Sequence, residues 1–192
     1  MKRVLRTLCA MSVGMTLLGA PSGARAESAG AVRAALVLRI LAFDRNLAAR
    51  TQPSVTVAVI FKAGVAESEA AQKEMVADLS MLTKKVTVAG KPVRIVSLPY
   101  TQGQLDAALA KVDASAIYVC PGLEDEVAAI SKTTRGRSTL SLTSVEQAVK
   151  QGLAVGVVRR DNKSGILVNL PASRAEGADL DSGLLRVAEV LR

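Results

Sequence analysis

The chain contains no histidine and no tryptophan, and its 192 residues include only two cysteines, two tyrosines and two phenylalanines. Without histidine there is no Ser-His-Asp or Cys-His nucleophile, and nearly every zinc site is excluded. A Gly-x-Ser-x-Gly elbow, a Ser-x-x-Lys pair and a Gly-x-Gly-x-x-Gly turn are also missing from the sequence. Gly90-Lys91 runs into Pro92 and lacks the upstream glycine of a phosphate-binding loop. The sequence therefore predicts no enzyme, no metal and no cofactor.

The shortage of aromatic residues excludes base stacking as a mode of recognition. The basic stretch Thr133–Thr139, with Arg135 and Arg137, has no interleaved ring and reads as a solvated turn rather than a nucleic-acid surface. The acidic run Glu124-Asp125-Glu126 is no better as a metal site. Consecutive helical positions diverge by about 100°, so three neighbouring carboxylates do not converge on one ion.

A long apolar run is missing too. Thr7 to Ala20 is mostly apolar but shorter than the ~20 residues that span a bilayer. It follows the basic Lys2, Arg3 and Arg6 and precedes the small-x-small triplet Ala24-Arg25-Ala26, the order of a secretory signal peptide. We expect cleavage after Ala26, export to the periplasm, and no direct membrane insertion afterwards. Removal of residues 1–26 takes away four of the 25 Lys and Arg and none of the 17 Asp and Glu, so the net charge falls from +8 to +4. Most of the basic excess thus belongs to targeting. Residues 27–192 are expected to form one domain. Cys120 is then the only cysteine left, inside the apolar run "AIYVC", and is read as a buried thiol, with a dimer-linking or redox-sensing thiol as the alternative.

What is present is an alternation of helical and strand-like segments. Residues 28–50 carry Val32, Leu36, Ile40, Phe43 and Leu47 at helical spacing, and Pro53 ends the run. "SVTVAVIFK" is apolar on both faces, as expected of a strand inside a sheet, and "SAIYVC" reads the same way. "KPVRIVSLPY" and "RGRSTLSL" supply two more strands, with helices between them. Thr101 is the expected N-cap of one helix, and Thr143 or Ser144 of another that Gly152 ends. "LAVGVVRRDNKSGILVNL" reads as a hairpin about a polar turn at Asp161–Gly165, and Ser182–Leu191 as the final helix. The predicted fold is α/β: a mostly parallel sheet flanked by helices on both faces, with an antiparallel hairpin near the C-terminus forming its edge.

One stretch carries a resemblance. From Arg137 to Arg192 the order is Leu142-Thr143 at a strand end, a helix leading into Gly152, a hairpin ending Val168-Asn169-Leu170, then Ala172, Arg174 and Gly177, and finally Ser182-Gly183-Leu184-Leu185 with Ala188. This order and spacing resemble the YfiR-like family of exported bacterial proteins. The N-terminal helix departs from that family's aromatic-rich pattern, with Phe43 its only ring, and the disulfides of some members cannot form from Cys120 alone.

The resemblance implies a non-enzymatic periplasmic regulator. Such a protein binds the periplasmic sensor region of an inner-membrane signalling protein, typically a diguanylate cyclase, and holds it inactive. It implies no cofactor; homodimerisation is left open. Arg174, Asn169 and Glu176 are the candidate partner-binding residues. Local physics explains part of the motif: Asn169 can bond the following turn, Gly177 permits positive φ, and Asp181 or Ser182 can cap the last helix, with Leu184, Leu185 and Ala188 facing the sheet. The rival expectation is a small solute-binding protein associated with a transporter, because residues 98–123 form a strand-helix-strand unit suited to a ligand crevice.

Overall fold

A computed structural model describes residues 29–160 and 163–192. The expected signal peptide and its cleavage site lie outside these residues, as do Asp161 and Asn162 of the expected hairpin turn.

Seven strands form one sheet in the order β2-β1-β3-β4-β5-β6-β7. They are β1 (Val55–Phe61), β2 (Val93–Pro99), β3 (Ala116–Val119), β4 (Leu140–Thr143), β5 (Val155–Arg160), β6 (Lys163–Asn169) and β7 (Glu189–Leu191). Neighbours from β2 through β5 are parallel, β5 and β6 are antiparallel, and β6 and β7 are again parallel. Helices cover both faces. On one side α1 (Ala29–Ala42) and α3 (Ala66–Leu82) bury Val37, Leu41, Met75 and Leu79 against Val57, Val59 and Tyr118. On the other, α4 (Leu105–Val112), α5 (Val127–Arg137) and α6 (Glu146–Gln151) bury Leu109, Ile130 and Ala148 with Ile60 and Ile117. Residues alternate between faces along a strand, so both sides of β1 and β3 must be apolar. That is the physical content of the two unbroken apolar runs.

Several boundaries differ from the sequence expectation. The first helix is broken: α1 stops at Ala42, Asp44 bridges to Leu180, and a short α2 (Leu47–Arg50) follows. The cause is the Asp44 carboxylate, which accepts the N–H groups of Asn46 and Asp179, each at 3.0 Å, and draws the C-terminal segment across the bend. Residues 133–137 are the last turns of α5 rather than a loop, and β4 begins only at Leu140. Thr101 does not cap α4; Gln104 occupies that position without a side-chain bond.

The C-terminus departs most. Leu170–Ala175, expected as a loop, is a short helix, α7. The final helix, α8, covers only Ser182–Val187, and the chain then extends from Ala188 into β7. The hairpin strand β6 is therefore interior, and β7 forms the edge. An uncovered β6 would present unpaired N–H and C=O groups, and β7 satisfies them. Gly177 has φ +76 and Asp181 caps α8 by accepting from Gly183 N–H at 2.7 Å, as the sequence allows.

Candidate functional site

The three candidate residues share the segment that leaves β6, and the structure gives them different surroundings. Asn169 is half-buried and caps α7, its Oδ1 accepting from Ala172 N–H at 3.0 Å. Its amide also donates to the Val149 carbonyl at 2.9 Å, joining α7 to α6. Glu176 is fully buried. Its side chain cannot meet a partner directly, which corrects the expectation that it lies on the binding surface. Arg174 alone is exposed, between Ala175 and the buried Ser173.

Glu176 is the centre of a polar network at the amino-terminal edge of the parallel strands. Ser141, near the start of β4, donates its N–H at 2.7 Å and its hydroxyl at 2.8 Å to the carboxyl group. Thr134 of α5 lies 2.6 Å from Glu176 Oε1 and 3.1 Å from the Ser131 carbonyl. The hydroxyl has one proton, so it donates to Oε1 when Glu176 is ionised and turns to the Ser131 carbonyl when a protonated Glu176 donates to it. Burial pushes the carboxyl up to about 7, against the opposing pull of the Thr134 and Ser141 hydrogen bonds and the Arg135 charge. The Ser141 hydroxyl also accepts from Ala154 N–H at 2.8 Å, extending the network to the start of β5.

A second layer surrounds it. Arg50 pairs with the buried Asp44 and donates to the carbonyls of Ser138 and Glu176. Asn46 donates to the Gly177 carbonyl at 3.1 Å. The break between α1 and α2, the end of α5 and the segment after α7 are thus tied together by polar contacts. Sequence reasoning missed Asp44, Arg50, Thr134 and Ser141, since nothing in their local patterns distinguishes them.

The other charged candidates serve helix ends and turns. Arg137 faces Asp106 at 3.3 Å and Arg135 reaches the Gly152 carbonyl at 3.4 Å, so both serve helix ends. Glu124 accepts from Gly122 N–H and Glu126 from the Tyr100 hydroxyl. No cluster of His, Cys, Asp or Glu able to hold a metal occurs among the described residues. Cys120 is buried, and desolvation pushes its thiol up to about 12 despite the nearby Arg33 charge.

The strand order reverses between β1 and β3, where an α/β sheet of this kind offers a crevice at its carboxyl end. Here the chain's own side chains take up the backbone donors. The N–H groups of Lys62, Gly64 and Gly122 are taken by Ser68 Oγ, Glu69 Oε1 and Glu124 Oε1. Gly122, at φ +87, packs so closely on Val65 and Ser68 that a Cβ would lie 3.3 Å from Val65 Cγ1.

The hairpin, the α7 cap and the glycine turn into a capped α8 form a continuous unit, and comparison with known families matches more than that unit. The YfiR/HmsC-like family model matches residues 30–189. The chain belongs to this family. None of the curated proteins matches it. Among solved structures, a conserved domain protein from Vibrio cholerae O1 biovar El Tor is similar at 10% identity and a TM-score of 0.63, covering 86% of this chain and 60% of its own. An ABC domain in complex with L-Trp from Streptococcus pneumonia is similar at 10% identity and 0.57, covering 79% and 60%. The open, ligand-free form of a substrate-binding protein with adhesive properties from Clostridium difficile is similar at 12% identity and 0.56, covering 77% and 57%. The family member described here therefore spans less than two-thirds of each of these structures. At such identities the likeness is one of fold.

Proposed function

We propose that this YfiR/HmsC-like protein is a non-enzymatic periplasmic regulator, released by cleavage after Ala26 and acting as a single domain over residues 27–192. It binds the periplasmic sensor region of an inner-membrane signalling protein, such as a diguanylate cyclase, and holds that protein inactive. The family match over residues 30–189 carries this reading. The mechanism needs no chemistry. A protein that binds only the inactive state of a receptor shifts the population by its differential affinity, and about 5.5 kcal/mol moves a two-state receptor from 1:99 to 99:1. Arg174 is the contact residue of the C-terminal segment, and Asn169 and Glu176 position it from inside by fixing α7.

The rival reading, a solute-binding protein, draws support from the fold shared with a substrate-binding protein. The backbone donors at the switch point, already engaged by the chain's own side chains, favour the regulator. Deleting the gene in its host and measuring cyclic di-GMP tests the proposal. A rise, together with direct binding of residues 27–192 to the periplasmic region of the enzyme responsible, is expected. Unchanged cyclic di-GMP combined with tight binding of a small solute by the purified protein would replace this reading with the transport one.

A further inference from the structure

The outward face of α1 runs between the end of α3 and α8 and separates two apolar clefts. One, of about 280 Å³, is lined by Leu38, Ala42, Leu82 and Val86. The other, of about 300 Å³, is lined by Leu36, Phe43, Leu184 and Val187. Only three large apolar side chains are exposed among the described residues, and two of them stand here: Val86 at 44% and Val187 at 74%. Arg39 is the one residue common to both clefts. Its guanidinium rests 5.8 Å from the Phe43 ring centroid, which holds it over the ridge between them.

Arg39 is the one charged side chain that lines the clefts, and the carboxylates of Glu74 and Asp78 approach α1 at Gly30, toward its other end. No Asp or Glu lines either cleft. Lys84 and Lys85 precede Val86, and Arg186 precedes Val187; none of these, nor Arg39, forms an ion pair among the described residues. Asp181, two residues from Gly183 on the rim, is already engaged by the Gly183 N–H and faces Arg45 at 3.7 Å.

We infer that this face docks an acidic amphipathic helix of the receptor's periplasmic region, with a carboxylate on Arg39 and an apolar side chain in each cleft. A helix suits this layout. The clefts lie on either side of α1, whose diameter with side chains is about 10 Å, and residues i and i+7 of a crossing helix are separated by about 10.5 Å. A carboxylate at i+3 or i+4 falls between them on the same face. The inference rests on the regulator reading and names the surface and partner chemistry through which it works.

The test uses residues 27–192 and, as probe, the purified periplasmic region of the membrane protein whose activity rises when the gene is deleted. Arg39→Glu and Val187→Asp should each weaken binding at least tenfold with unchanged thermal midpoints, while Arg39→Lys retains most of it. Lys111→Glu, on the exposed side of α4, should bind as the parent does. Replacing the contacted receptor carboxylate by lysine should restore binding to Arg39→Glu. Wild-type binding by both face variants overturns the inference while leaving the regulator reading intact. So does a photo-crosslinker at position 187 in living cells that captures only a second copy of this chain, which would make the face a homodimer surface. If no membrane enzyme responds to the deletion, it is the regulator reading itself that fails.

Discussion

Ser141 donates both its backbone N–H, at 2.7 Å, and its hydroxyl, at 2.8 Å, to the carboxyl group of Glu176, a residue with no solvent exposure. One strand of the parallel sheet thereby fixes the segment that carries α7 and the exposed Arg174. A buried acid is costly to ionise, and a carboxyl satisfied in its protonated form makes the attachment proton-dependent. The same pair that orders the candidate surface therefore gives it a pH response.

Because burial raises the Glu176 carboxyl from an ordinary value of 4.5 to about 7, its contribution to stability is complete below pH 4.5 and is lost as pH rises through 7. A shift of this size corresponds to roughly 3 kcal/mol. Glu176→Gln keeps the shape and supplies a permanent N–H donor for Thr134, so it should remove this part of the pH dependence. Urea midpoints of parent and variant between pH 4 and 9 check it. The variant should gain on the parent as pH rises, and parallel curves would show that burial does not raise the Glu176 carboxyl above its unfolded value.

Ile60 and Ile117 are fully buried on the face covered by α4, α5 and α6. Truncating either to alanine removes packing that adjacent strands cannot readily refill, at an expected cost of about 2–5 kcal/mol. Equilibrium denaturation measures this directly. Midpoints that scarcely move would contradict the packing described for the centre of the sheet.

Cys120 should behave as an inert thiol. Its side chain is buried and desolvation pushes it up to about 12, so almost no thiolate exists near neutral pH. In protein lacking residues 1–26, a thiol reagent such as Ellman's should label about one group in denaturant and almost none before unfolding. Rapid labelling of the folded protein, or a disulfide-linked dimer on non-reducing gels, would show that the strand end opens.

Arg174→Ala should weaken receptor binding and leave stability within about 0.5 kcal/mol, as expected of an exposed substitution. Leu142→Ala is the contrasting variant. Leu142 is buried in the main core and lines neither cleft, so its truncation should lower the thermal midpoint, and any loss of binding should follow unfolding. A destabilised Arg174→Ala would assign the arginine a structural role instead.

The sequence by itself determined the class of fold. Both-face apolar runs such as Val55–Phe61 and Ala116–Val119 have few solutions other than central strands, and the helical segments between them dictate parallel crossovers. It also determined the local devices near the C-terminus: the Asn169 cap, the Gly177 turn and the Asp181 cap each act within a few residues. Tertiary structure decided the rest. Leu170–Ala175 and Ser182–Val187 are too short for periodicity to define, and "AEVLR" became a strand because the exposed edge of β6 needed hydrogen-bond partners. Glu176 was legible only as a charged residue beside a glycine. Its burial depends on Thr134 and Ser141, 42 and 35 residues away, and its protonation on the low dielectric that folding creates. Local patterns report what a residue can do with its sequence neighbours; which distant groups surround it is settled only when the sheet closes and excludes water.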